Sequence, residues 1–251
     1  MKKQLQIIHG IHAVSANLEY DREHLQEVFR DKERRDQRLE KLVAALKQSD
    51  VVIHDVSRRE LDKMAGSDNR HQGIVARVLV PPTLNEKDLD QLLDRLEHSP
   101  LLLILDGVTD PHNLGACLRT ADACGVDAVI TTRDKAVGLT ATARKVSSGA
   151  AETVPFVQVT NLVRTLKDIQ QRGIWIAGTA GEEATDLYAT DLKGPMAIVM
   201  GAEGKGMRRL TREHCDLLVR IPMLGTVESL NVSVATAVCL YEALRQRRQV
   251  H

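Results

Sequence analysis

Six short and almost wholly apolar runs follow one another from residue 101 onward, and they constrain the fold more than any other feature. Segments with helical periodicity separate them, and Gly125 and Gly173 end two of these segments. A strand that is apolar on both faces must be covered on both faces, as in a parallel sheet between helices. The sequence therefore predicts an α/β domain over residues 101–251. The runs are LLLILDG (101–107), DAVITT (127–132), TVPFVQV (153–159), IWIAGTA (174–180), MAIVMGA (196–202) and LLVRIPM (217–223).

The residues before this domain have their own alternation of apolar and polar side chains. They predict a small α/β unit over residues 1–78, with strands at 4–10, 51–56 and 73–79 and a charged helix, with breaks, from His12 to Leu46. Pro81 and Pro82 stop any continuing element. We therefore expect residues 79–100 to form a linker that carries one short amphipathic helix.

Composition limits the classes of function. Aromatic residues make up 2% of the chain and the formal net charge is zero, which disfavours aromatic base-stacking modules and polybasic binders. The four cysteines have neither zinc-site spacing nor the density of a disulfide scaffold, so we expect reduced, mostly buried thiols and no metal. No run approaches the roughly 20 apolar residues of a membrane span. A cytoplasmic protein without a membrane contact is expected.

Three loops, each after a predicted strand, hold the unusual polar residues, and ligands of open α/β sheets bind at such strand ends. The first is DGVTDPHNLGACLRTADACG, where Asn113 is expected to cap a helix that carries Arg119 about two turns inside. A lone cation in an Ala-, Leu- and Cys-rich helix usually has a partner. Two interpretations stay open: an ion pair with Asp106, Asp110 or Asp122, or a phosphate-binding or catalytic role.

The second and third loops are IVMGAEGKGMRRL and RIPMLGTVESLNVSVA. The second has Gly201, Gly204 and Gly206, and glycines let a backbone approach a ligand closely, although a glycine-rich turn taken alone is more often structural. Its pattern is neither GxGxxG nor a P-loop, which disfavours a triphosphate site. In the third loop Ser229 is expected to cap the last helix, with Asn231 in its first turn.

Together and in this order, these segments resemble the SPOUT superfamily of methyltransferases, and within it the SpoU branch of RNA ribose 2′-O-methyltransferases. The motifs are Asn113-x5-Arg119, KVSSGAAE at 145–152, GAEGKG at 201–206 and IPM…ESLNVSVA at 221–235. In the first unit, GIHAV at 10–14 and RHQGIVA at 70–76 resemble the RNA-binding domain that precedes many SpoU enzymes.

The resemblance implies a fold and an activity. It implies a deep trefoil knot in the C-terminal parallel-sheet domain, a rare exception to the rule against threaded chains, and a homodimer with sites near the subunit interface. It implies S-adenosyl-L-methionine as the methyl donor. The implied substrate is a guanosine ribose in the peptidyl-tRNA-binding loop of 23S ribosomal RNA. The stretch from Arg70 to Gly73 is expected to contact this RNA.

The resemblance also implies roles for individual residues. Arg119 is the residue that the family treats as catalytic, and Asn113 belongs to the same motif. Because a guanidinium stays charged in proteins, we expect Arg119 to grip a phosphate and stabilise the developing alkoxide, while the proton leaves through phosphate, Ser229 or water. Glu203, Ser229 and Asn231 would organise the site and the ribose. The cofactor would be surrounded by Thr179, Gly201, Gly204, Ile221, Met223 and Leu230.

Other functions remain as alternatives. The same chemistry on tRNA or on another rRNA site is one of them. A non-catalytic RNA-binding factor in ribosome assembly is another, and it would be favoured by loss of Arg119, Glu203, Ser229 or Asn231, all of which are present. A nucleotide-dependent enzyme would need a glycine fingerprint after the first strand of the sheet, and DGVTDPHNLG lacks it.

Overall fold

The structure, a computed structural model, describes residues 4–66, 71–80, 83–181 and 185–248. The chain divides into two compact units, Met1–Pro82 and Thr83–His251. Among the described helices, none combines the length and the apolar character that crossing a membrane requires.

The first unit is a four-stranded mixed sheet with helices on both faces. The strands lie in the order β1-β4-β2-β3, with β2 and β3 parallel and the other two pairs antiparallel. Leu39 and Leu46 of α2 join one apolar cluster, whereas Leu61 of α3 joins Phe29 and Val75 in another. The elements are β1 Gln4–His9, α1 Ile11–Tyr20, β2 Leu25–Asp31, α2 Gln37–Gln48, β3 Val52–Val56, α3 Arg58–Ala65 and β4 Ile74–Val80.

The helix predicted from His12 to Leu46 is wrong in its middle, because β2 occupies Leu25–Asp31. Its sequence LQEVFRD has three charged side chains, and only its neighbours make it a strand. Pairing with β3 on one side and β4 on the other buries Val28 and Phe29 and outweighs the local preference of the charged residues.

The second unit is a six-stranded parallel sheet in the order β10-β8-β9-β5-β6-β7, which confirms the predicted parallel-sheet domain. Its strands are β5 Leu101–Asp106, β6 Ala128–Thr132, β7 Phe156–Val159, β8 Trp175–Thr179, β9 Met196–Gly201 and β10 Leu217–Val219. Its helices are α4 Glu86–Leu93, α5 Pro111–Ala123, α6 Ala141–Ser147, α7 Ala150–Thr153, α8 Leu162–Gln171, α9 Arg209–Glu213 and α10 Val232–Arg248.

Burial on both faces explains the apolar runs. Every residue of β5 is buried, and its side chains alternate between two cores. Leu103 clusters with Leu118 of α5, whereas Leu102 clusters with Leu166 of α8. Within the segment 79–100, Leu89 of α4 is buried in the second of these clusters, so this short helix packs as part of the second unit.

The end of α10 is attached to the starts of two central strands by one side chain. The guanidinium of Arg247 donates to the carbonyl oxygens of Ser99, Pro100, Leu192 and Gly194 at 2.5–3.4 Å. These contacts partly bury the guanidinium, and the loss of solvent lowers the pKa of Arg247. The trefoil knot that the resemblance implies stays a prediction.

Candidate active site

A cavity of about 680 Å³ lies at the carboxyl ends of β8, β9 and β10, the edge at which parallel sheets bind ligands. Backbone of three loops and a mixture of apolar and polar side chains form its walls. The six residues predicted to surround the cofactor all line this cavity, and so do Glu203 and Ser229. These six are Thr179, Gly201, Gly204, Ile221, Met223 and Leu230.

The loop after β9 forms one wall and is a tight turn. The amide of Gly206 donates to the carbonyl of Ala202 at 2.8 Å, and the amide of Ala202 donates back to the carbonyl of Gly206 at 3.0 Å. Gly204 and Gly206 have φ values of 73° and 64°, a region that favours glycine. A Cβ on Gly201 would lie 2.7 Å from the carbonyl oxygen of Gly206 and still closer to neighbouring backbone atoms. The glycines therefore allow the turn to fold back onto the end of β9.

Residues that the sequence did not single out complete the walls. Lys205 and Met207 belong to the same glycine loop, and Glu228 precedes Ser229, so their proximity to predicted residues was a usable signal. Arg212 comes from α9, and nothing in its sequence context indicated that it would line the cavity.

A chain of side-chain hydrogen bonds joins the three loops. The side-chain Nδ2 of Asn231 donates to Oδ1 of Asn113 at 3.0 Å, and Nδ2 of Asn113 donates to Oε2 of Glu203 at 3.4 Å. Oδ1 of Asn231 accepts from the amide and the hydroxyl of Ser233, which fixes the orientation of the Asn231 side chain. One residue from each of the three loops thus takes part in a single polar arrangement, with Asn113 at its centre.

Both predicted helix caps are wrong, and the reason bears on this arrangement. The cap of α5 is Asp110, which accepts from the amide of His112, and Pro111 takes the first helical position. Asn113 therefore lies buried inside the helix, and its side-chain amide bonds to Glu203 and Asn231 and does not cap the helix. Asn231, not Ser229, caps α10 through its bond from Ser233, while Ser229 is exposed in the preceding loop.

A second cavity of about 500 Å³ adjoins the first. The two share the glycine loop, including Glu203 and Lys205, and Asn113 lines the second. Three carboxylates and three cations lie around it: Asp106, Asp110, Glu203, Lys135, Lys205 and Arg208.

Arg119 lies on the exposed side of α5 and lines neither cavity of its own chain. With the described part of the chain it makes no hydrogen bond or ion pair. The acids proposed as its partners are engaged elsewhere: Asp106 with Arg208, Asp110 with the start of α5, and Asp122 with Thr153. The ion-pair interpretation of Arg119 is therefore wrong.

The cysteines offer no reactive thiolate. All four are free thiols, three of them fully buried. Burial raises the pKa of Cys117 to about 11 and that of Cys215 to about 12, so both are protonated near neutral pH. A protonated thiol is neither a nucleophile nor a metal ligand.

The predicted RNA contact in the first unit is described only in part. Arg70 lies outside the described residues. His71 is buried, with Nε2 bonded to Asp62 at 3.0 Å and Nδ1 accepting from the amide of Gly73 at 3.1 Å, so it organises the turn. Among the described residues one group has the spacing of metal ligands, Asp21, Glu23 and His24, and no predicted site residue belongs to it.

Family models match both units. The model described as the SpoU rRNA Methylase family matches residues 100–241, and the model described as RNA 2′-O ribose methyltransferase substrate binding matches residues 7–84. Among known proteins, the 23S rRNA (guanosine-2′-O-)-methyltransferase RlmB of Pectobacterium atrosepticum is 60% identical over 242 residues. The alignment covers 96% of this chain and 98% of that protein.

Solved structures agree on the fold. A crystal structure of an RNA 2′-O ribose methyltransferase is similar with a TM-score of 0.58 and 27% identity, covering 97% of this chain and 89% of the other. The SpoU methyltransferase AviRb from Streptomyces viridochromogenes, in complex with the cofactor AdoMet, has a TM-score of 0.62 over 98% of this chain and 91% of its own. At 24% identity this second likeness concerns the fold alone. With a family model over more than half of its length and a 60% identical relative over nearly all of it, the chain belongs to the SpoU rRNA methylase family.

Proposed function

We propose that the chain transfers a methyl group from S-adenosyl-L-methionine to the ribose 2′-OH of a guanosine in 23S rRNA, within the peptidyl-tRNA-binding loop, in the cytoplasm. The observation that carries this proposal is that hydrogen bonds between Asn231, Asn113 and Glu203 join the three loops, and that Glu203 lines both of two adjoining cavities. A transferase of this kind needs two neighbouring sites, one for the donor and one for the acceptor. The substrate assignment draws support from the 60% identical relative of Pectobacterium atrosepticum, which is a 23S rRNA (guanosine-2′-O-)-methyltransferase.

The first cavity fits the cofactor. Its volume of about 680 Å³ is in the range of small-molecule sites, and its walls suit a molecule with one flat base and one charged amino-acid end. Ile221, Leu230 and Val219 supply apolar surface for the base, and Thr179 and Glu228 supply polar groups. When bound, S-adenosyl-L-methionine supplies an electrophilic methyl group on a sulfonium.

The hydrogen-bonded series of Asn231, Asn113 and Glu203 would position the ribose. Asn113 is held on one side by Asn231 and faces Glu203 on the other, so the Glu203 carboxylate is directed by a donor that is fixed in the buried helix. A carboxylate so directed can accept a hydrogen bond from a ribose hydroxyl and hold it still. Ser229, exposed at the mouth of the first cavity, is available to pass the hydroxyl proton to water or phosphate.

Arg119 remains the proposed phosphate ligand. Its guanidinium is exposed and makes no bond with the part of the chain that the structure describes, so its five donors are available to RNA. We expect Arg119→Lys to lower kcat about tenfold, because an ammonium cannot bind a phosphate in the two-pronged manner of a guanidinium. Steady-state methyl transfer to RNA measures this. Undiminished turnover of Arg119→Lys would contradict the need for a guanidinium that binds the phosphate through two hydrogen bonds.

We further propose a homodimer, which explains how a residue outside both cavities serves the reaction. A partly apolar stripe on α10, formed by Val234, Val238 and Tyr241, is available for a second copy, and Val234 and Tyr241 are exposed. A second copy docked near the cavities would bring its own Arg119 to them.

Mixing two inactive variants tests this arrangement. Arg119→Ala and Asn113→Asp each disable one element of the site, and a dimer that contains one copy of each has one complete site if Arg119 acts across the interface. We expect activity to return when the two variants are refolded together, measured as methyl transfer. Mixtures that stay as inactive as either variant would contradict action across subunits.

The activity itself is tested by tritium transfer. Labelled S-adenosyl-L-methionine is incubated with total rRNA and tRNA from cells that lack the protein, and the labelled ribose is located by nuclease mapping. Label in a single 23S guanosine is the expected result. Label in tRNA alone would overturn the substrate, and absence of transfer to naked RNA and to assembling ribosomal particles, with cofactor binding intact, would favour a non-catalytic assembly factor.

A further inference from the structure

The loop after β6 holds Lys135 in a conformation that a lysine disfavours. Lys135 has a φ of 60°, in the left-handed region, where a Cβ is strained and glycine or asparagine is preferred. The other described non-glycine residues with positive φ are Asp50, Gln72 and Ser148, all polar and shorter than lysine. Strained backbone is retained where the side chain has a use, so the presence of lysine here needs a reason.

Neighbouring hydrogen bonds fix this loop in place. The hydroxyl of Thr132 donates to the carbonyl of Asp134 at 2.7 Å, and the amide of Val137 donates to the carbonyl of Val108 at 2.9 Å. The second bond ties the loop to the segment that follows β5. As a result Lys135 lines the second cavity, together with Asn113 and Glu203.

The ammonium of Lys135 has no partner among the described residues, although carboxylates line the same cavity. Asp106 is buried and accepts from the amide of Arg208 at 2.7 Å, with its other oxygen 3.4 Å from Nε of the same arginine. Asp110 accepts from the amide of His112. An exposed ammonium that lines the cavity and pairs with none of the carboxylates there is available for an external anion.

We propose that Lys135 is a positioning residue that contacts a phosphodiester of the RNA beside the target ribose, which occupies the second cavity. The inference rests on the proposed function, because it takes RNA as the ligand of that cavity. Lysine acts on phosphate as a mobile point charge, which suits a contact that holds the chain without reading a base. Lys205, on the shared glycine loop, supplies a second cation at the same cavity.

The test compares Lys135→Gly and Lys135→Arg with Lys167→Ala, which removes an exposed lysine of α8 that lines neither cavity. Steady-state methyl transfer to 23S rRNA is measured over a range of salt concentrations. We expect Lys135→Gly to raise the KM for RNA about tenfold and to leave kcat nearly unchanged. The slope of log KM against log salt concentration should fall by about one, as for the loss of one phosphate contact. Lys135→Arg keeps the positive charge and should retain most of the RNA affinity. The control variant Lys167→Ala should match the wild type.

Thermal unfolding separates this role from a structural one. Glycine relaxes the backbone at φ 60°, so Lys135→Gly should have a Tm equal to or above that of the wild type while it loses RNA affinity. A KM and salt dependence equal to those of the wild type would overturn the inference, as would a loss confined to kcat. Failure of the proposed function looks different, because the wild-type protein would then transfer no methyl group to guanosine.

Discussion

Gly201→Ala should weaken the binding of S-adenosyl-L-methionine by about 100-fold or more. Gly201 ends β9, and the turn that follows folds back so closely that an added Cβ would overlap the backbone of Gly206 and Met207. Backbone atoms cannot move aside as a flexible side chain can, so the whole turn from Ala202 to Gly206 must shift. Because this turn is a wall of both cavities, the shift changes the shape of the proposed cofactor site and of the proposed RNA site together.

Calorimetric titration with S-adenosyl-L-methionine measures the effect, and we expect an increase in Kd of about 100-fold or more, since forced overlap costs about 3 kcal/mol. Gly194→Ala is the matched control. Gly194 is exposed, has no atom near the position of an added Cβ and does not line either cavity. Unchanged affinity of the Gly201 variant would contradict the assignment of this turn to the cofactor.

The second unit was predictable because its evidence is local and repeated. Each apolar run is long enough to be a strand, and a strand buried on both faces admits few environments. Family motifs then pointed to the loops at the strand ends, and the residues expected around the cofactor do line one cavity. The order of strands was not predictable from the runs, since β9 and β5 are neighbours in space although three strands separate them in sequence.

Residues whose role depends on distant contacts were harder to place. Asn113 and Ser229 are both good capping residues, so local rules assigned them to caps that Asp110 and Asn231 occupy. Asp110 followed by Pro111 is a local signal that places Asn113 inside the helix. The hydrogen bond from Asn231 of the third loop to Asn113, by contrast, is not evident from the sequence. Strand β2 was missed for a similar reason, because its charged side chains favour a helix until two neighbouring strands are present.

Asn113→Asp replaces the central donor of the polar chain with a second carboxylate. Asn113 donates toward Glu203 and accepts from Asn231, so the aspartate keeps the acceptor and loses the donor. Near neutral pH two carboxylates then face each other about 3.4 Å apart, and we expect kcat to fall by about 100- to 1,000-fold. Asn113→Ala, which adds no charge, should lose less at neutral pH.

The pH dependence identifies the cause of this loss. Two facing carboxyls hold one shared proton up to a higher pH than an isolated carboxyl does, and the protonated form again donates a hydrogen bond across the pair. The activity of Asn113→Asp, relative to the wild type at each pH, should therefore rise as the pH is lowered below neutrality and fall as the proton is lost. Asn113→Ala has no such proton and should show a constant ratio. If both variants gave the same flat ratio, the bond between Asn113 and Glu203 would not direct the carboxylate, and the organisation of the ribose would have to rest on Asn231 and Ser229 alone.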